Sequence, residues 1–144
     1  MGLVKFENKP SRKSPISAEN LNNNFDFLNE KINTNEQTIL WDDYYYMNAS
    51  QSIDVPISQQ KHGVMLIFCA YSEGAPHNWN NSSFVVLKEE AEILNGGGRT
   101  FPMGGSHGID ATKYIYIYPD KIEGNAQNQE GTSKNYVLRK IIGF

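Results

Sequence analysis

Between Pro15 and Trp41 the apolar stripe falls at Leu21, Phe25, Leu28, Ile32 and Ile39, at intervals of 4, 3, 4 and 7. That is the spacing of a heptad seam, with Asn35 at the skipped position. Most of the other residues are Asn, Asp, Glu and Lys, so the helix presents one narrow apolar stripe on a polar cylinder. Such a stripe must be covered, either by the chain's own domain or by copies of the same helix. Self-association is the favoured reading, because a polar residue at a seam position commonly sets register and oligomer state. Pro15 stops any helix upstream and holds Ser14 extended. Ser17 suits the N-cap, Glu19 the first turn, and Ile16 can staple onto Leu21. The predicted helix covers 17–40 and spans roughly 30 Å.

Upstream, residues 1–16 carry Lys5, Lys9, Arg12 and Lys13 against Glu7, with little apolar content. They read as an arm that orders on a partner or stays mobile. They contain no continuous apolar stretch of the kind a secretory signal needs. No apolar run in the 144 residues approaches the roughly 18 required to span a bilayer. A formal net charge of −3 argues against an electrostatic grip on nucleic acid or an anionic membrane.

From Trp41 onward the pattern changes to period two. The stretches 40–49, 52–58, 62–72, 82–94, 112–124 and 134–144 read as strands or strand pairs. Loop signals separate them at 48–51, 58–63, 73–82, 95–108 and 124–133. The clearest alternation is Tyr114-Ile115-Tyr116-Ile117-Tyr118, whose isoleucines should face a core and whose tyrosines should face an interface or solvent. Residues 88–94 fit a strand or a helical turn equally well. The expected fold is mainly β: an N-terminal self-associating α-helix, then a head over 41–144 that is an antiparallel β-sandwich or a small barrel.

Catalytic and metal signatures are weak. His62, His77 and His107 are dispersed in expected loops, and Asp42-Asp43 and Glu89-Glu90 are neighbours that a strand would send to opposite faces. A His107–Asp110 pair lacks two further metal ligands. Cys69 stands alone within an apolar run and reads as a buried, inert thiol. The glycine-rich stretch 95–108 lacks the Lys-Ser/Thr of a phosphate loop and reads as a surface loop, in which Arg99 and Phe101 have binding potential. No enzyme, cofactor or metal is implied.

The loop from Tyr71 to Asn81 is richer. It sets Trp79 among His77, Asn78, Asn80 and Asn81. An aromatic face for the C–H patch of a pyranose, together with planar amides for its hydroxyls, is what saccharide binding needs. The same residues also suit a packing anchor within a set of turns. The candidate saccharide contacts are Trp79, His77, Asn78, Asn80, Arg99 and Tyr71, with Trp79 stacking and Arg99 meeting an anionic group such as a wall phosphate.

The run from Pro15 to Asn22 resembles a motif common in tail and baseplate proteins of phages that infect Gram-positive bacteria, where it opens a short trimerising helix. Residues 112–144 are similar to the closing strands of the same proteins, a Tyr/Ile-rich strand followed by a loop and Asn135-Tyr136-Val137-Leu138-Arg139. The resemblance implies a homotrimeric receptor-binding or tail-fibre-tip protein, made in the bacterial cytoplasm and carried on the virion. Its N-terminal arm would attach to other tail or baseplate proteins, and its β head would bind host cell-wall saccharide. A structural adaptor that touches only phage proteins is the alternative. No receptor residue is carried over by motif.

Overall fold

A computed structural model describes residues 2, 18–33, 37–105 and 110–144. The chain divides into two compact units, Met1–Glu36 and Gln37–Phe144.

In the first unit, α1 (Ala18–Asn33) carries Glu19 in its first turn. Leu21, Phe25 and Leu28 are 40%, 61% and 44% exposed, so the stripe keeps a large part of its apolar surface in water. Ser17, Ile16 and Asn35 lie outside the described residues, as does the side chain of Ile32. The helix is shorter than 17–40. Ile39, expected at the end of its seam, belongs instead to a strand, β1 (Thr38–Tyr45). Thr38, Ile39 and Trp41 are β-branched or aromatic and favour a pleated surface.

The second unit is mainly β, built from two antiparallel sheets. After β1 come β2 (Ser52–Asp54), β3 (Gly63–Ser72), β4 (Ala75–Pro76), β5 (Ser82–Leu87), α2 (Lys88–Leu94), β6 (Gly97–Pro102), β7 (Thr112–Ile117), β8 (Lys121–Glu123) and β9 (Tyr136–Gly143). The first sheet runs β1-β9-β3-β4, with β5 also on β3; the second runs β2-β8-β7-β6. Val64, Leu66, Phe68, Leu138 and Ile141 of the first sheet join Ile53, Phe101, Ile115, Ile117 and Ile122 of the second in one buried cluster. Burying such side chains stabilises by about 1.5–3 kcal/mol each.

The stretch 88–94 is helical, so Glu89 and Glu90 sit on α2 rather than on a strand. The glycine-rich stretch, expected as a surface loop, contains β6 paired to β7. Its glycines are there for close packing: a Cβ on Gly98 would collide with the Tyr114 phenol, and one on Gly96 would lie 2.7 Å from the Tyr118 ring. Two tyrosines of the Tyr-Ile alternation, Tyr114 and Tyr118, thus lie over backbone that only glycine leaves clear. The β7–β8 hairpin turns at Pro119-Asp120 and closes with the Tyr118 amide donating to the Lys121 carbonyl at 2.9 Å.

The inward face of β7 carries one charge. Lys113 is 0% exposed and shares its face with Ile115 and Ile117. Its Nζ donates to the carbonyls of Tyr46 (3.1 Å) and Asn128 (2.7 Å). Asn128, also buried, donates to the carbonyls of Met47 and Tyr114 and accepts from the Tyr114 amide. Burial pushes Lys113 down to about 7. This network joins the chain after β1, the middle of β7 and the 3₁₀ turn Ala126–Gln129.

Candidate functional site

A cleft of about 450 Å³ opens on the outer face of the first sheet, lined by Ile67, Cys69, Pro76, His77, Asn78, Asn81, Arg139 and Lys140. Its upper part is set by the β3–β4 hairpin. Glu73 and Gly74 both take positive φ, 54° and 80°, which a two-residue turn of this kind requires. The returning chain continues along β3, with the His77 amide on the Ala70 carbonyl and the Ala70 amide on the Trp79 carbonyl. The His77 Nε2 lies 2.7 Å from Ser72 Oγ. Trp79 stacks on the His77 ring at 5.1 Å and 23°, and its indole is 37% exposed.

The basic side of the cleft comes from a β-bulge. Ile67 pairs with Lys140 and Phe68 with Leu138, so Arg139 is the extra residue of β9. In a regular strand Arg139 and Lys140 would point to opposite faces; the bulge turns both toward one carboxylate. Arg139 Nη1 is 2.6 Å from Asp42 Oδ1, and Lys140 Nζ is 3.1 Å from Asp42 Oδ2. The Lys140 ammonium, with Arg139 beside it, holds the Asp42 carboxyl below the usual carboxylate range. Two cations against one anion leave the cleft with a formal excess of one positive charge. Arg139 spends Nη1 on Asp42 and on the Asp43 carbonyl. Its remaining guanidinium N–H groups have no partner among the described residues.

Cys69 on the cleft wall is 2% exposed, and burial pushes its thiol up, away from the reactive thiolate. Asp43 caps the Tyr44 amide at 2.8 Å. Among the described residues no group of three His, Cys, Asp or Glu is gathered where it could hold a metal ion. His107 lies outside the described residues.

Of the expected saccharide contacts, His77 and Asn78 line the cleft, and Trp79 joins them through its stack on His77. Three others sit elsewhere. Arg99 is tied to Glu90 at 2.8 Å and to the Val85 carbonyl, and its guanidinium lies 4.7 Å from the Phe101 ring. Phe101, expected in a loop, is fully buried in the core because β6 is a strand. Tyr71 is packed between Tyr44 and Tyr46, with ring centroids at 5.8 and 5.0 Å. Burial and then Tyr71 push the Tyr46 phenol up to about 12. Asn80 takes φ 52° and lies against Gly105, where any Cβ would strike its amide.

Sequence reading missed Arg139, Lys140 and the cleft role of Asn81. Two adjacent cations inside an otherwise apolar strand were the available signal, since alternation alone does not place both in contact with water.

In comparisons with known proteins, no family model, no curated protein and no solved structure matches this chain.

Proposed function

We propose that this protein is a non-enzymatic saccharide-binding module that works as a homotrimer, of the kind phages of Gram-positive bacteria carry at the tail tip. The observation that carries the binding half is the cleft where His77, Asn78 and Asn81 meet Arg139 and Lys140, with Trp79 stacked on the His77 ring beside it. An indole face takes the C–H patch of a sugar ring, and the amides take its hydroxyls. The guanidinium and ammonium take an anionic substituent, the part first expected of Arg99.

Self-association rests on uncovered apolar surface. Besides the α1 stripe, the outer face of the first sheet carries a row in which Ile39 pairs with Ile142, Ile142 with Met65, and Met65 with Val85. Ile39 is 59% exposed. Three copies would cover the helix stripes, give a trimer of β-sandwich heads, and let weak sites act together on a repetitive polymer. The N-terminal arm would attach to other tail proteins. The same apolar row supports a second reading, an adaptor that meets only other phage proteins; finding the heads buried in assembled particles would favour it.

Adsorption to Gram-positive cell walls and to arrays of their polysaccharides tests the binding. Trp79→Ala should weaken it by about tenfold or more while leaving the melting temperature close to wild type. Unchanged adsorption rejects this cleft. Light scattering should return three times the chain's 16.3 kDa. Replacing Phe25 and Leu28 together by Gln should lower that mass; a trimer indifferent to the change moves the interface to the β unit.

A further inference from the structure

The second sheet has a cleft of its own, and its chemistry differs. It measures about 540 Å³ and lies between the outer face of β7–β8 and the turn that leads into β2, with Tyr116, Glu123, Asn125, Gln51, Ser50 and Ser52 among its walls. A smaller cleft of about 490 Å³ continues it past Ser50 and Ala126 toward Asn48 and Gln129.

The walls are held from behind. The Gly124 amide donates to the Gln51 carbonyl and the Asn125 amide to the Met47 carbonyl, both at 2.9 Å. A side chain on Gly124 would collide with the Met47 backbone, so this close approach needs glycine. The Tyr116 ring is braced edge-on by Tyr114 at 5.4 Å. Its hydroxyl accepts from the Asn125 side-chain Nδ2 at 3.0 Å, which leaves the phenol proton available to donate. Gln51 spends its carbonyl oxygen on the Asn48 amide, and its NH₂ has no partner among the described residues.

Charge on this wall is already neutralised. Glu123 Oε1 is 2.6 Å from Lys121 Nζ, and Oε2 accepts from Tyr118 at 3.2 Å. The Lys121 ammonium, with Tyr118 beside it, holds the Glu123 carboxyl below its ordinary range. Among the described residues no cation lines the cleft unpaired, so an anion finds no counter-charge there. What remains is an aromatic ring, planar amides and hydroxyls.

We propose that the Tyr116–Gln51 cleft binds an uncharged polyhydroxylated ligand, a neutral saccharide unit, as a site separate from the His77 cleft. It extends the saccharide reading to a second face and fails independently of it, because Trp79 variants report on the first cleft alone. Tyr116 offers a ring edge and a hydroxyl donor, Gln51 and Asn125 offer amide N–H groups, and the adjoining cleft lets a second sugar unit follow toward Asn48.

The test is side-chain amide NMR on the full chain, titrated with neutral hexose and N-acetylhexosamine oligosaccharides, with glycerol phosphate as the charged comparator. The neutral probes should shift the Gln51 and Asn125 amide signals, and glycerol phosphate should not. Tyr116→Phe, which removes only the hydroxyl, and Gln51→Glu, which keeps the acceptor and removes the donor, should each weaken binding about fivefold or more. Both should unfold within a few degrees of wild type. Trp79→Ala should leave the neutral titration within about twofold. The proposal is overturned if no neutral probe moves Gln51 or Asn125 at about 10 mM, a weak-site concentration. It is equally overturned if the shifts gather at His77 and vanish in Trp79→Ala.

Discussion

The two clefts are supported in opposite ways. The His77 cleft rests on a bulge whose cations are held by a single exposed carboxylate, Asp42. The Tyr116 cleft rests on backbone pinned by the buried Lys113–Asn128 network. Exposed ion pairs contribute little to stability and are screened by salt. Buried hydrogen bonds are costly to break, because each orphaned group loses its water as well as its partner. Charge changes should therefore retune the first cleft without disturbing the fold, whereas the second cannot be altered from below without loosening the sheet.

The largest expected effect tests the buried side. Asn128→Ala orphans the Tyr114 carbonyl and amide, takes one of two donors from the Met47 carbonyl, and should cost about 3 kcal/mol or more in urea unfolding. The neutral cleft should be lost with it while Trp79 adsorption survives in the folded fraction. A loss below about 1 kcal/mol would place the support elsewhere.

Next comes pH. Lys113 is pushed down to about 7 when folded, from 10.5. Between those values the unfolded chain binds more protons than the folded one, so stability rises with pH. The slope from this group is at most about 1.4 kcal/mol per pH unit, and below pH 7 its contribution is flat. Unfolding at intervals from about pH 7 to 9.5 should show the rise in wild type, and Lys113→Met should abolish it. A wild-type curve no steeper than that of the variant would mean that the ammonium stays charged in the core.

The smallest effect falls on the exposed side. Because an exposed, screened ion pair adds little to stability, Asp42→Asn should leave the melting temperature close to wild type. It frees Arg139 and Lys140, so glycerol phosphate binding at the His77 cleft should tighten by about threefold and weaken as salt is added. Equal tightening of a neutral probe would break the contrast between the two clefts.

Much of the β unit was legible along the chain. The alternation of Tyr and Ile placed Ile115 and Ile117 inward and the tyrosines outward, because side-chain period is a local property of extended backbone. Lys113 falls in the same phase, and what lets its charge sit on the core face is a pair of carbonyl partners that no local pattern reveals. The loop from Tyr71 to Asn81 was recognisable as a polar aromatic cluster, and three of its five candidates do gather: His77, Asn78 and, stacked on His77, Trp79. Arg99 and Tyr71 were misplaced because their partners, Glu90 and the Tyr44–Tyr46 pair, lie on other elements. Ile39 was misread as helical because a seven-residue gap keeps heptad phase even where the chain has changed to a strand.

The amino-acid order by itself determined that the chain changes from period 3.6 to period two, which strand faces are apolar, and that α1 carries one narrow apolar stripe on a polar cylinder. Those are consequences of bond geometry and side-chain polarity acting within a few residues. The tertiary structure alone decided that a bulge at Arg139 turns two neighbouring cations to one face, that Arg99 is taken up by Glu90, and that Gln51 meets Tyr116 across the second sheet. Strand order and register bring together residues far apart in the chain, and no local preference carries that information.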